Sequence, residues 1–365
     1  MGHAPLDAMS KHLSYDTLKI NGQVLQGEDI LTYCRESGDA YLNTIAGFVS
    51  QWLDDKADIE LYSSGSTGSP KRFRASKESM LASAAMTVTF FDLRKNDNAL
   101  LCLPVNYIAA RMMIVRAFYA GLNLICLQPA SDPLRELLTQ PTHIHFAPLV
   151  PMQLQSVADV GFIDTILLGG APLQAAMEEK LQHFSCRIYQ SYGMAETLSH
   201  VAVRQINGAA RSPAYRALPG IVLSTDERNC LVIEAPYLPE KIITNDIVEM
   251  KEAGIFEWKG RADNVLNSGG IKLHPEAIEN KIFALLQNRF FIDAIPDKIL
   301  GEKVCLFIES TPFDETRLNA LQRKLAATLD KYEKPREIFF VKKFSETASG
   351  KIRRDETKKQ FFAIP

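Results

Sequence analysis

Along this chain, apolar residues gather into short runs, separated by longer stretches in which they recur every three or four positions. The runs at Ala99–Leu103, Leu122–Leu127, His143–Ala147, Thr165–Leu168 and Arg187–Gln190 are short and mostly apolar. That pattern predicts strands buried on both faces. Helical spacing fills the intervals near 107–119, 132–139 and 174–183. A strand is expected from Asp58 to near Tyr62, and Ser76 is placed to N-cap a helix through Met80, Leu81, Ala84 and Ala85. Residues up to about 57 read as helical and mixed, with apolar faces at Ile30-Leu31 and Ile45–Val49. Strand-helix alternation predicts a parallel α/β sheet.

The texture changes after Pro213. Cys230–Glu234, Ile242–Thr244, Ile247–Met250 and Ile255–Trp258 sit between turn residues, which predicts a small β-rich subdomain over about 213–260. The tail then mixes strands (Val304–Ile308, Ile338–Val341) with helices (Pro275–Leu286, Glu315–Leu329), enough for an α+β domain of its own. The expected fold is therefore α/β. A large domain over 1–260 carries the parallel sheet and the β-rich subdomain, and a connector at 261–263 leads to a small domain over 264–365.

Composition changes the picture mainly by exclusion. A chain of 365 residues exceeds one compact core. A net charge of −2 gives no basic surplus with which to neutralise a phosphate backbone, so no nucleic-acid partner is expected. The six cysteines (Cys34, Cys102, Cys126, Cys186, Cys230, Cys305) are scattered, never spaced as C-x-x-C. That argues for a reduced, cytoplasmic setting rather than a disulfide framework or zinc site. No apolar run reaches the roughly 18 residues of a membrane span, and the first residues carry no signal-peptide or myristoylation pattern. His143 and His145 alternate along a predicted strand without a metal-ligand spacing.

The chemistry is concentrated first in Tyr62–Lys71 (YSSGSTGSPK). Gly65 and Gly68 let the backbone turn sharply and approach a ligand. Ser63, Ser64, Ser66, Thr67 and backbone N–H groups offer donors to phosphate oxygens, and Lys71 adds a point charge. The spacing is not that of the ordinary P-loop, which needs G-x-x-x-x-G-K-[ST]. Further along stand Leu168-Gly169-Gly170-Ala171 at the end of a predicted strand, Ser191-Tyr192-Gly193-Met194-Ala195-Glu196-Thr197, Thr244-Asn245-Asp246, Gly260-Arg261-Ala262-Asp263, Asn267–Glu276, and Thr347-Ala348-Ser349-Gly350-Lys351. Each alone has a bland reading as a turn, a surface pair or a solvated tail.

Taken in order, the series resembles the adenylate-forming acyl-CoA synthetases (AMP-binding enzymes), from about residue 58 to the C-terminus. Within that family it is most similar to the o-succinylbenzoate–CoA ligase branch, a likeness to which Leu103–Met113 adds. Relative to the family pattern the chain is N-terminally shortened. The resemblance implies ATP, Mg2+ and CoA as cofactors and co-substrates, with a small carboxylate as the acyl donor. Ser63, Ser64, Gly65, Ser66, Thr67, Gly68 and Lys71 would hold phosphates. Gly169, Gly170, Ala171, Ser191, Tyr192, Gly193, Met194 and Thr197 would surround the nucleotide, and Glu196 would hold Mg2+. Asp246 would take the ribose hydroxyls, Arg261 a sugar or phosphate, and Asp263 would be the hinge of a mobile small domain. Lys351 would be catalytic, while Gly269, Gly270 and Lys272 would face CoA. Asn106, Tyr107, Arg111, Ser199 and His200 lie in segments that border the acyl group in the family, Arg111 being placed to meet a second carboxylate. Read without the family, Arg111 is a solvated or structural arginine and His200 a hydrogen-bonded structural histidine. The family's usual threonine is Ala195 here, which leaves that threonine's phosphate-binding role to Thr197 or to water. Other readings are a CoA ligase for a different carboxylate, an amino-acid-loading adenylation module and a non-catalytic adenylate binder. A homodimer is left open.

Overall fold

The computed structural model describes residues 15–62, 72–139, 142–158, 160–171, 173, 175–346 and 352–362. By contacts the chain divides into two compact units. The first is Met1–Ser63, Pro70–Gly169 and Phe184–Val201; the second is Ser64–Ser69, Gly170–His183 and Ala202–Pro365.

The first unit begins with β1 (Thr17–Ile20) and β2 (Gln23–Gln26), then α1 (Glu28–Glu36) and α2 (Ala40–Leu53). A hairpin of β3 (Asp58–Tyr62) and β4 (Arg72–Ser76) leads into α3 (Lys77–Phe90), where Ser76 Oγ accepts the Ser79 N–H at 3.0 Å and caps the helix as expected. β5 (Asn98–Leu101), α4 (Ile108–Ala120), β6 (Asn123–Cys126), α5 (Arg135–Thr139), β7 (Ile144–Leu149), β8 (Ile163–Leu168) and, after α6 (Ala175–Leu181) of the second unit, β9 (Arg187–Gly193) complete the alternation. The sheet runs β9-β8-β7-β5-β6-β1-β2, parallel except for the edge strand β2. The five apolar runs correspond to β5, β6, β7, β8 and β9. The expectation of helical and mixed structure before residue 57 is corrected at its start. Thr17–Gln26 forms a strand pair because Leu18 and Ile20 point into the core from alternate positions.

Register fixes the working edge. Leu149 pairs with Leu168, and Leu168 with Gln190, so β7, β8 and β9 end in line. In open α/β sheets ligands bind off the carboxyl ends of the strands. Gly169 and Ser191–Gly193 occupy that edge.

The second unit contains an antiparallel sheet in the order β12-β13-β14-β15-β11-β10, formed by β10 (His200–Gln205, which starts at the end of the first unit), β11 (Tyr215–Ala217), β12 (Val222–Thr225), β13 (Cys230–Glu234), β14 (Ile242–Glu252) and β15 (Ile255–Arg261). The two strand pieces expected at 242–244 and 247–250 are one strand, broken in register beyond Ile247. A second sheet carries β16 (Leu266–Ser268), β17 (Ile271–Leu273), β18 (Phe290–Asp297), β19 (Gly301–Glu309) and β20 (Glu337–Val341), covered by α7 (Pro275–Ile282), α8 (Glu315–Thr328) and α9 (Arg354–Phe362). Residues 264–362 thus own two apolar clusters. One is built around Ile278, Leu306 and Leu325, the other around Phe291, Phe307 and Phe344.

Candidate active site

Two sets of expected residues are ordered, one in each unit. In the first, the Gly169 N–H donates to the Leu149 carbonyl at 3.0 Å, extending β8 by one residue. The Ser191 hydroxyl donates to the Leu168 carbonyl at 2.9 Å, and a Cβ on Gly169 would stand 3.0 Å from that hydroxyl oxygen. At Gly193 the crowding is backbone. A Cβ there would lie 2.4 Å from the Ser199 carbonyl oxygen and 2.6 Å from His200 Cα. Only glycine lets the chain double back between 193 and 199 at this distance.

Inside that turn Thr197 is fully buried. Its Oγ1 accepts the Met194 N–H at 2.9 Å and lies 2.6 Å from the Ser199 carbonyl oxygen. The hydrogen bonds of its hydroxyl described here all lie within the turn. Thr197 fixes the conformation that holds Glu196 out, and Glu196 is exposed. An exposed carboxylate is a ligand type that Mg2+ takes, together with phosphate oxygens.

Behind the turn lies a residue that sequence reading missed. Arg116 of α4 is buried and its Nη2 donates to Ser199 Oγ. Ser199 Oγ is 3.2 Å from His200 Nδ1, and Thr87 Oγ1 is 3.4 Å from Nε2. Burial, followed by the Arg116 charge, drives the His200 pKa well below the ordinary histidine value, so it is a neutral, structural imidazole. Arg116 sits in an apolar helix without a sequence signal, since buried and exposed arginines look alike. Arg111 is also turned to structural use. Its Nε and Nη1 donate to the Val105 and Glu60 carbonyls at 2.9 Å each, and its guanidinium lies 5.5 Å from the Phe48 ring centroid. Asn106 is exposed and Tyr107 half-buried at the start of α4.

His143, His145 and Asp164 bring ligand atoms within 4.8 Å of one another at the opposite end of the strands. Their cross-strand proximity was invisible in sequence. His145 Nδ1 accepts the Asn98 N–H at 3.0 Å, and Nε2 faces Asp97 Oδ1 at 3.5 Å. That tautomer leaves His145 no lone pair for a metal.

In the second unit, Asp246 and Arg261 are register partners across β14 and β15. The Trp258 indole N–H donates to Asp246 Oδ1 at 3.2 Å, and Arg261 Nη1 is 3.7 Å from the same oxygen. Arg261 Nη2 donates to Asp263 Oδ2 at 2.6 Å, while Asn245 Nδ2 donates to Oδ1 at 3.0 Å. The expected ribose carboxylate, its arginine and the expected hinge residue therefore share one polar network. Gly269 and Gly270, both at positive φ, form the two-residue turn between β16 and β17, and Lys272 is exposed on β17. Ser63 to Lys71, including Ser64, Gly65, Ser66, Thr67 and Gly68, lie outside the described residues, as does Lys351. Their flanks are paired: Tyr62 with Arg72, and Glu346 with Ile352.

Comparison with known proteins follows the same lines. Residues 52–226 match the family model described as AMP-binding enzyme. The crystal structure of an acyl-CoA synthetase (AMP-forming)/AMP-acid ligase II-like protein from Dyadobacter fermentans is 36% identical, over 90% of this chain and 97% of that one, with a TM-score of 0.59. The chain belongs to the AMP-binding enzyme family. Among curated AMP-binding relatives, a 2-succinylbenzoate–CoA ligase of Lactococcus lactis is 26% identical over 284 residues, 72% of this chain. A feruloyl-CoA synthase of an Amycolatopsis species is 24% identical over 349 residues, 85% of this chain and 70% of its own. The chain spans 62% of the length of the Lactococcus ligase.

Proposed function

We propose that this chain is an AMP-forming carboxylate–CoA ligase acting on o-succinylbenzoate, in the supply of menaquinone precursors. The observation that carries the reading is the Gly193–Ser199 turn, closed on itself at the carboxyl end of β9 with Glu196 held outward. The CoA-ligase and CoA-synthase names of the relatives supply the reaction class.

The chemistry divides in two. A carboxylate oxygen of the substrate attacks the α-phosphorus of ATP in line. The bond to the bridging oxygen breaks, pyrophosphate leaves and an acyl-adenylate forms. Charge developing on the phosphoryl oxygens is met by preorganised donors and cations. Ser63, Ser64, Gly65, Ser66, Thr67, Gly68 and Lys71 orient the phosphates, and Lys351 meets the transferring group. Glu196 would hold Mg2+, which supplies neutralising charge when bound. Gly169, Gly170, Ala171, Ser191, Tyr192 and Met194 flank the base, and Asp246 and Arg261 take the sugar. The small domain then turns about Asp263. That brings the Gly269–Gly270 turn and Lys272 to the site. The CoA sulfur attacks the acyl carbon, and the carbon–oxygen bond to AMP breaks.

The test is pyrophosphate release from ATP, with and without CoA, for o-succinylbenzoate, ferulate, benzoate and a short fatty acid. CoA-dependent turnover with o-succinylbenzoate alone upholds the reading. Preference for ferulate, the acid of the second relative, keeps the chemistry and discards the substrate and the pathway. No pyrophosphate from any acid, despite ATP binding, overturns catalysis in favour of an adenylate binder.

A further inference from the structure

The described residues on either side of the Lys351 segment form a stem. Glu346 bridges Ile352, and the Arg353 N–H donates to the Ser345 carbonyl at 2.8 Å. The Ser345 N–H donates to Thr357 Oγ1 at 3.0 Å, the Phe344 N–H to Glu309 Oε1 at 2.7 Å, and Arg289 pairs with Glu346. The stem is thus paired across its two strands and tied through Glu309 and Arg289 to the second sheet. What fastens it to α7 is Arg354. Its Nη2 reaches Glu279 at 2.9 Å, its Nη1 donates to the Ile292 carbonyl at 3.0 Å, and its guanidinium lies 5.8 Å from the Phe291 ring centroid.

Glu279 answers from the middle of α7. One carboxylate oxygen accepts the Ile292 N–H at 2.7 Å while the carboxylate faces Arg354. The groups around it come from three elements. Glu276 shares its helix and lies 3.6 Å from Arg354, Asp293 comes from β18, and Lys358 of α9 sits 2.8 Å from Asp293. Two basic and three acidic side chains, all largely buried, thus meet where α7, β18 and α9 pack.

We propose that Glu279 and Arg354 are positioning residues for adenylation, fastening the stem of the Lys351 segment to the helix that follows the Gly269–Gly270 turn. The inference rests on Lys351 having the role proposed above. Neither residue touches substrate. They set where the two chain ends enclosing Lys351 stand relative to α7, and a lysine meeting a transition-state oxygen is sensitive to placement. Burial pushes the Glu279 carboxyl up to about 7, against the opposing pull of Arg354. The hold is therefore complete only above that pH, where the carboxylate is charged.

The experiment compares wild type, Lys351→Ala, Glu279→Gln and, as a control, Glu333→Gln, which removes an ion-pair partner of Lys281 of α7. Both half-reactions are followed from pH 6 to 9: pyrophosphate release at saturating ATP and acid, and thioester formation from supplied acyl-adenylate. Glutamine keeps the acceptor for Ile292 and mimics the protonated acid, so Glu279→Gln should melt no lower than wild type at pH 8. At that pH its adenylation kcat should fall at least about tenfold, within the hundredfold that a displacement of about 1 Å can cost. Its thioester step should be unchanged, and the wild-type advantage in adenylation should fade as pH drops through about 7. Equal loss in both half-reactions, or adenylation equal to wild type while Lys351→Ala fails, overturns the inference. Wild type that forms no adenylate, or Lys351→Ala that adenylates normally, overturns the underlying reading instead.

Discussion

At the scale of single residues, the turn after β9 makes the sharpest demand. Gly193→Ala places a methyl carbon 2.4 Å from a backbone oxygen that cannot swing aside. The expected cost is the ~1–3 kcal/mol of overpacking, read as a lower melting temperature, together with loss of adenylation because Glu196 is displaced. A variant with wild-type melting and wild-type pyrophosphate release would mean that the turn is not a rigid support for Glu196. Lys351→Ala acts differently. Stability should be unchanged, adenylation should fall at least about a hundredfold, by analogy with lost oxyanion donors, and thioester formation from supplied adenylate should persist. Parallel losses in the two steps would refute a lysine used in only one. The motif residues were legible because glycines and a proline-lysine close are rare combinations. Arg116 was not, since its meaning depends on Ser199, 83 positions away.

Secondary elements repeat the contrast. Strands β5, β7 and β8 of the parallel sheet could be read because most of their residues are buried and apolar. β18 escaped notice because its sequence FFIDAIPD carries two aspartates and a proline. Asp293 is nonetheless buried, paired with Lys358 of α9. α9, RDETKKQFF, has almost no apolar stripe and is held in place by ions and two terminal phenylalanines. The β16–β17 hairpin is testable by itself. Gly270 has φ 80°, and a Cβ added there would meet nothing within 4 Å, so Gly270→Val strains the backbone without a clash. Holding a branched residue in that region costs on the order of 1–3 kcal/mol. The second half-reaction should slow while adenylation is retained, measured by thioester formation from supplied adenylate. Unimpaired thioester formation would remove this hairpin from the CoA step.

The whole molecule carries two buried groups whose titrations oppose one another, one in each compact unit. His200 of the first unit has its pKa lowered by burial, then by Arg116. As pH falls below about 6.5, the unfolded histidine takes up a proton that the folded one refuses, and stability is lost. Glu279 of the second unit has its pKa raised from 4.5 to about 7, chiefly by burial. Between those values the folded state binds a proton that the unfolded state does not, so stability rises as pH falls and is lost as pH climbs back through about 7. Were the whole shift expressed, the window would be worth on the order of 3 kcal/mol. Chains of two units commonly unfold in more than one step. Thermal melts from pH 4.5 to 8 should therefore show one transition weakening and another strengthening on acidification. Glu279→Gln should flatten the transition that strengthens and leave the other alone; His200→Gln should do the reverse. A Glu279→Gln protein whose melts follow the wild-type pH dependence throughout would show that this carboxylate does not titrate in that window. The pH-dependent part of the stem's hold on α7 would fall with it, while the half-reaction split at pH 8 would still test the geometry alone.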